Sequence, residues 1–153
     1  MNKRYITQAL SLIIVLTMFT GCVQVEESTE IDSNYNPEER LRELNITLPP
    51  PPQPVANYVN GVRAGNLIFL AGKGPKYPDG RELTGKLGGK ITIDQGYEGA
   101  RQTAINQLSV LKEMLGDLNK VKRIVKVLGL VNSSPNFIDQ PKVVNGFSDL
   151  MVD

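Results

Sequence analysis

Two short apolar stretches near the middle of the chain predict a β-hairpin. Residues 58–63 and 67–71 are rich in aliphatic and aromatic side chains, and residues 64–66, Ala-Gly-Asn, form a turn signal between them. The second stretch is apolar at every position, which is typical of a strand whose two faces are both covered. A loop rich in Gly and Lys follows, and residues 82–87 within it are a candidate for a third strand.

A long amphipathic helix is predicted to begin after Thr92. Thr92 and Gln95 have the spacing of a capping box, in which each side chain accepts a hydrogen bond from the other residue's backbone N–H. Gly116 is expected to end the helix as the left-handed residue beyond its last turn. The apolar face follows the three-and-four spacing of a helix and consists of Tyr97, Ala100, Ala104, Leu108, Leu111 and Leu115.

The remaining apolar positions predict one more strand and one more helix. Residues 124–131 are nearly all apolar, and Pro141 marks the first turn of a helix whose apolar side is Val143 or Val144 with Phe147, Leu150 and Met151. The order hairpin, strand, helix, strand, helix predicts an α+β fold with two helices packed on one face of a sheet. Because a crossing helix normally leads to another strand, the sequence looks like such a fold with its C-terminal strands missing.

Residues 1–22 have the features of an export signal. Lys3 and Arg4 precede an apolar stretch over residues 9–19, which is shorter than the ~20 residues needed to span a bilayer. The stretch ends in FTGC at residues 19–22, which resembles the lipobox of bacterial lipoproteins, although Phe19 stands where Leu is usual. The resemblance implies that Cys22 carries a lipid. The alternatives are a buried free Cys in an uncleaved anchor helix and a functional thiol.

Residues 23–54 are predicted to be an acidic and proline-rich linker that precedes the domain at residues 55–153. Seven acids against Arg40 and Arg42 give the linker a net charge of −5, whereas residues 1–22 carry +2 and residues 55–153 carry +4. Residues 37–44 are a short helix candidate, in which Leu41 and Leu44 would dock loosely. The prolines at 49–52 and 54 predict an extended stretch that serves as a rigid spacer or as a ligand for an SH3-type domain.

The composition excludes several kinds of chemistry. The chain has no His and one Cys, which rules out a Ser-His-Asp triad, His-ligated metals, an internal disulfide and a CxxC redox pair. The overall charge of +1 gives no general attraction to nucleic acid. We expect no cofactor and no metal.

Two local patterns suggest phosphate or RNA binding, and both are weak. Residues 80–87 nearly match a phosphate-binding loop, but Leu87 replaces the hydroxyl residue that would bind magnesium. Lys120, Lys122, Arg123 and Lys126 form a basic cluster that could face RNA. No aromatic residue interleaves with them, so a solvated surface is the favoured interpretation and no nucleic-acid partner is favoured.

Several spaced motifs resemble the RidA (YjgF-type) family in its atypical branch. They are YVNGV at 58–62, LAGKGP at 70–75, ARQ at 100–102 with Asn106, GDL at 116–118, VKRIVK at 121–126, VNSSPNF at 131–137 and NG at 145–146. The resemblance spans residues 37–153 and implies a chorismate-mutase-like fold in a homotrimer with ligand clefts between subunits. It also implies hydrolysis of reactive enamines or imines to keto acids and ammonia, while other members are described as endoribonucleases or translation inhibitors.

The resemblance implies three residues of a substrate pocket. Tyr58 matches the pocket tyrosine, Gly72 the glycine whose backbone lines the cleft, and Asn145 the pocket asparagine on the second helix. The ligand is expected to be a small carboxylate-bearing imine or a related metabolite. From the residues alone, Tyr58 could equally be a strand aromatic, Gly72 a turn residue and Asn145 a helix surface amide.

The catalytic residues of the family have no counterpart in the printed sequence. The family's arginine, which binds the substrate carboxylate through two hydrogen bonds, lies on a strand after the second helix. Its acidic residue, which positions water, lies on the last strand. We therefore name no catalytic residue and expect the chain to be inactive. Arg63 lies elsewhere and does not replace that arginine. The alternatives are a non-catalytic ligand-binding or assembly module and a truncated gene product.

The lipobox resemblance makes a prediction about Cys22. We expect an exported protein that is attached to the extracytoplasmic face of a bacterial membrane by a lipid on this residue, because one lipid group tethers a chain without spanning the bilayer. Mass spectrometry of the mature protein should show a diacylglyceryl group on Cys22 as the first residue, and a Cys22→Ala variant should remain unprocessed. An unmodified Cys22 in the mature protein would contradict the prediction.

Overall fold

The computed structural model describes residues 35–153, which form an α+β fold with a small antiparallel sheet and three helices. The predicted signal segment and Cys22 lie outside the described residues. The elements in chain order are α1 (Pro37–Glu43), β1 (Gly61–Ala64), β2 (Leu67–Leu70), α2 (Ile93–Leu115), a 3-10 helix (Leu118–Lys120) and α3 (Gln140–Val152). The predicted α+β class is therefore confirmed.

The predicted hairpin forms, but only one of its faces is covered. β1 and β2 pair antiparallel with Gly61 opposite Leu70 and Ala64 opposite Leu67, so the turn is the two-residue loop 65–66. Ile68 and Leu70 pack against the core. On the other face, Leu67 is 48% and Phe69 is 61% exposed. The prediction that both faces of the second strand are covered is wrong for the described chain, because nothing within it lies over that face.

Helix α2 has the predicted ends. The Thr92 backbone N–H donates to Gln95 Oε1 at 3.0 Å and the Gln95 backbone N–H donates to Thr92 Oγ1 at 3.2 Å, which completes the capping box. Gly116 adopts φ = 76°, a left-handed conformation that costs glycine little, and its N–H donates to the Lys112 carbonyl. The signals that define this helix are local, which explains why the sequence reveals both of its ends.

The buried surface of α2 is wider than the predicted apolar face. Besides Ala104 and Leu111, the helix buries Ile105 and Val110, which the prediction omitted. It also buries polar side chains, namely Gln102, Asn106 and Ser109. The predicted apolar face is a single stripe along the helix, and a single stripe is enough to pack against one partner. α2 has three partners, since α3, the hairpin with α1, and the loop after β2 all lie against it.

Helix α3 packs closely on α2. Leu150 is buried with Ala104 and Ile105, and Phe147 and Met151 pack around them, as predicted for the apolar side of this helix. Gly146 faces the α2 backbone, and a Cβ at this position would lie 2.0 Å from the carbonyl oxygen of Tyr97. The two helix backbones therefore approach each other more closely than any other residue at position 146 would allow.

A polar contact closes one side of this helix pair. The Tyr97 hydroxyl donates to Asp149 Oδ2 at 2.9 Å. This hydrogen bond to a carboxylate raises the pKa of Tyr97 above its ordinary value, because the bond is lost when the phenol ionises.

The short helix α1 is packed into the core. The Asn36 side chain accepts hydrogen bonds from the backbone N–H groups of Glu38 and Glu39 and caps the helix. Leu41 is buried with Leu111 and Leu118. Leu44, Ile46 and Leu48 also pack against core residues. This part of the predicted linker therefore contributes to the folded unit, whereas loose docking of Leu41 was expected.

Glu38 ties α1 to the far end of α2. Its carboxylate forms an ion pair with Lys112 and accepts a hydrogen bond from the Leu118 backbone N–H at 3.0 Å. The hydrogen bond from Lys112 holds the pKa of Glu38 below its usual value, because it favours the charged form.

Two predicted strands do not form in the described chain. Residues 82–87 make only isolated bridges, between Glu82 and Lys76 and between Leu87 and both Ile91 and Ser133. Residues 124–131 have no strand partner within residues 35–153, and many of their apolar side chains are exposed. A β-strand forms only when its backbone N–H and C=O groups bond to a neighbouring strand. A run of apolar residues indicates a candidate strand but does not show which segment would pair with it.

The close contact between α2 and α3 gives a testable prediction. Gly146→Ala should lower the free energy of unfolding by about 2 kcal/mol net, because overpacking against a backbone atom costs about 3 kcal/mol or more. This cost exceeds the roughly 1 kcal/mol by which Ala is the better helix former. Urea denaturation measures the change. Gly74→Ala is the control, because its Cβ would meet no atom within 4 Å. Equal stability of Gly146→Ala and the parent would contradict the described helix contact.

Candidate functional site

A cleft lies between the proline-rich stretch and the loop that follows β2. Its volume is about 250 Å³. The residues that line it are Pro52, Gln53, Val55, Tyr58, Gly72, Lys73, Gly74, Pro75, Lys76, Glu82 and Leu83. This lining combines apolar side chains with the charged groups of Lys73, Lys76 and Glu82.

Two of the three pocket residues implied by the family resemblance line this cleft. Tyr58 is 43% exposed, and a Cβ added at Gly72 would meet no atom within 4 Å, so the cleft is open beside that glycine. Asn145 lies on an exposed position of α3 and is not among the lining residues. The structure therefore brings Tyr58 and Gly72 together and places Asn145 elsewhere on the chain.

The loop that forms one wall of the cleft is fastened to α2 by amide side chains. Asn106, which is 1% exposed, donates from Nδ2 to the carbonyl of Gly74 at 3.1 Å and to that of Lys76 at 3.0 Å. Gln102 donates to Asn106 Oδ1 at 3.1 Å and thereby fixes the orientation of the amide. All hydrogen-bonding groups of the Asn106 side chain are thus used, as a buried amide requires.

Gln107 adds a third hydrogen bond to the same loop. Its Nε2 donates to the Ala71 carbonyl at 3.0 Å, at the point where the chain leaves β2. Its Oε1 is buried and has no partner among the described residues. Donors from α2 therefore hold the loop at residues 71, 74 and 76, on either side of Lys73.

Lys73 adds a positive charge to the cleft, and Asn60 contacts it. The sequence did not assign a role to either residue. Lys73 Nζ donates to Asn60 Oδ1 at 2.5 Å and lies 5.7 Å from the centre of the Tyr58 ring. Asn60 Nδ2 donates to the Pro52 carbonyl at 3.0 Å. These residues are within two positions of Tyr58 and Gly72 in the chain, and this adjacency is the signal that could have indicated them.

A second, larger depression of about 590 Å³ lies near the beginning of α2, and its lining includes Tyr77, Arg81 and Glu82. Arg81 there is already engaged within the chain. It pairs with Asp79 at 2.6 Å and stands 5.1 Å from the centre of the Tyr77 ring. The hydrogen bond from Arg81 lowers the pKa of Asp79. The Arg81 guanidinium already has a partner, and none of Tyr58, Gly72 and Asn145 lines this depression. The smaller cleft is therefore the candidate site.

One residue of the basic cluster after α2, Lys120, has a structural role. Lys120 Nζ donates to the Leu115 carbonyl at 2.6 Å, at the C-terminal end of α2, where a positive charge is favourable. Lys122, Arg123 and Lys126 are exposed.

Residues 35–153 contain neither a membrane-spanning helix nor a cluster of metal-binding side chains. None of the helices there is long and apolar enough to cross a membrane. Within the same residues, no cluster of three or more His, Cys, Asp or Glu side chains could hold a metal ion.

The amide fastening of the loop can be tested at Asn106. Asn106→Leu keeps the approximate volume but removes both donors, so we expect a loss of about 1–3 kcal/mol in the free energy of unfolding. Hydrogen exchange should become faster in residues 72–76. Thr103→Val is the matched control, because the Thr103 hydroxyl bonds to Gly99 within the helix and does not reach the loop. Unchanged exchange of the loop in Asn106→Leu would contradict its fastening role.

Solved structures share this fold. The crystal structure of a putative endoribonuclease from Shewanella oneidensis MR-1 superposes with a TM-score of 0.74 at 31% sequence identity, over 77% of this chain and 78% of that one. The crystal structure of the protein Atu1372 with unknown function from Agrobacterium tumefaciens gives a TM-score of 0.68 at 37% identity, over 76% of this chain and 72% of that one. These similarities cover most of the described residues.

Sequence comparison leads to the same group of proteins. Protein TCP17 of Trypanosoma cruzi is 42% identical over 112 residues, which are 73% of this chain and 70% of that protein. A sequence model of the family described as "YjgF/chorismate mutase-like, putative endoribonuclease" matches residues 38–153. That match includes every element described above except the first residue of α1. The chain therefore belongs to the YjgF/chorismate-mutase-like (RidA) family.

Proposed function

We propose that the cleft beside Tyr58 and Gly72 binds a small carboxylate-bearing imine or a related metabolite. The observation that carries this proposal is that two residues implied by the family resemblance line one cleft together with a partly buried lysine ammonium. A volume of about 250 Å³ suits a ligand of a few heavy atoms. The cation supplies the attraction that a carboxylate requires.

We expect binding without measurable turnover from the 153-residue chain. The family resemblance assigns the carboxylate contact to an arginine, and no arginine is among the described lining residues. Lysine offers a point charge in place of a rigid two-donor fork, so it holds a carboxylate with less control over its orientation. Precise orientation of the reacting bond accounts for a large part of enzymatic rate acceleration.

A second candidate function is hydrolysis of the imine itself. Glu82 lines the same cleft and is the carboxylate that could orient an attacking water. Hydrolysis would then depend on Glu82, whereas binding alone would not. Lipid attachment through Cys22 and assembly into a homotrimer stay predictions from the sequence.

Ligand binding can be measured with 2-oxobutyrate, a stable keto acid that carries the carboxylate of a short imine. Isothermal titration calorimetry should show binding to the parent chain and a loss of at least tenfold in Gly72→Leu. The new side chain enters open space at the cleft, so folding should be retained. Ser148→Leu, at an exposed position of α3, is the matched control and should bind normally.

Turnover is followed in the same preparations by keto-acid release from an enzymatically generated imine. No release above the spontaneous rate is expected. Release that Glu82→Gln abolishes would establish the hydrolytic function instead. The proposal fails if the parent chain and Gly72→Leu both bind no keto acid, or if both bind it equally.

A further inference from the structure

Lys73 differs in its burial from Lys76, the other cation that lines the cleft. Lys73 is partly buried at the cleft, whereas Lys76, which also lines it, is exposed. Within residues 35–153, four ion pairs form, and Lys73 belongs to none of them. Glu82 lines the same cleft without pairing with it. The cleft thus contains an ammonium group that forms no ion pair with the described residues.

The ammonium of Lys73 retains donors for a ligand. An ammonium has three N–H groups. One of them is directed at Asn60 Oδ1, and the described residues supply no acceptor for the others. The Tyr58 ring, 5.7 Å from Nζ, offers an aromatic face on another side. A neutral amide and a ring stabilise a cation without cancelling its charge, so the attraction for an anion persists.

Lys73 is also held in position from both ends. At its backbone, α2 fastens the loop through Asn106 and Gln107. At its head group, Asn60 is itself fixed, because its Nδ2 donates to Pro52 and its carbonyl accepts from the Ala71 N–H at 2.9 Å. The Nδ2 bond leaves Oδ1 for the ammonium. A cation placed in advance loses less conformational entropy when a ligand binds.

We propose that Lys73 is the residue that recognises the carboxylate group of the cleft's ligand, and that Asn60 is its positioning residue. This inference rests on the proposed function of the cleft. The remaining N–H groups of Lys73 donate charge-assisted hydrogen bonds to the carboxylate oxygens. Asn60 keeps the ammonium at the mouth of the cleft and does not itself contact the ligand.

The test compares two ligands of similar size that carry a charged carboxylate or a neutral amide at the recognised group, 2-oxobutyrate and 2-oxobutanamide. Calorimetry at low salt should show that Lys73→Gln weakens 2-oxobutyrate binding at least tenfold and leaves 2-oxobutanamide binding within about twofold. Lys90→Gln removes an equal charge from an exposed position outside the cleft lining and should change neither affinity more than about twofold. Lys73→Arg should retain the preference for the carboxylate.

The positioning role of Asn60 has its own readout. Asn60→Leu should reduce the preference for 2-oxobutyrate over 2-oxobutanamide by about threefold to tenfold, while circular dichroism shows a folded chain. A merely structural role would weaken both ligands equally.

The outcomes separate this inference from the proposed function. If the parent chain binds 2-oxobutyrate and Lys73→Gln binds it equally well, the cleft functions without Lys73 and the inference is overturned. Equal weakening of both ligands in a folded Lys73→Gln would also overturn it, because Lys73 would then maintain the shape of the cleft and not recognise the charge of the carboxylate. If the parent chain binds neither ligand, the proposed function fails and the inference fails with it.

Discussion

Helix α3 can lie against α2 only because position 146 carries no side chain. A Cβ there would stand 2.0 Å from the Tyr97 carbonyl oxygen, a backbone atom that cannot move without separating the helices. The close approach lets Leu150 reach Ala104 and Ile105. One turn before Gly146 on α3, Val143 packs with Leu87 and Ile91 and so holds the loop before α2 against this helix. The position of the whole C-terminal part therefore depends on the contact at Gly146.

The opposite side of α2 supports the cleft by a different kind of interaction. Apolar packing joins the helices, whereas directed amide hydrogen bonds from Asn106 and Gln107 hold the loop that carries Gly72 and Lys73. Such bonds fix a loop of Gly and Pro residues that has few large side chains to bury. One helix thus connects the core to the cleft, and each of its sides uses the interaction that its partner can supply.

Local signals allowed α2 to be predicted from the sequence, and partners distant in the chain explain what was missed. The capping box at Thr92 and the glycine at 116 act within a few residues, and both ends of the helix were correct. The strands proposed at 82–87 and 124–131 required neighbours that a hydrophobic pattern cannot specify. At the site, the family resemblance indicated Tyr58 and Gly72. Asn106 was part of the family resemblance, but its role was not predicted, because its contacts are to carbonyl groups 30 or more positions away.

The exposed apolar side chains of segment 124–131 have a consequence for how this segment can pair with another chain. It has no strand partner in the described chain, and Val125, Leu128 and Leu130 face solvent. Exposed apolar segments of high β-propensity can act as templates for aggregation. Lys122, Arg123 and Lys126 place like charges next to and within the segment, so two copies aligned side by side would repel each other.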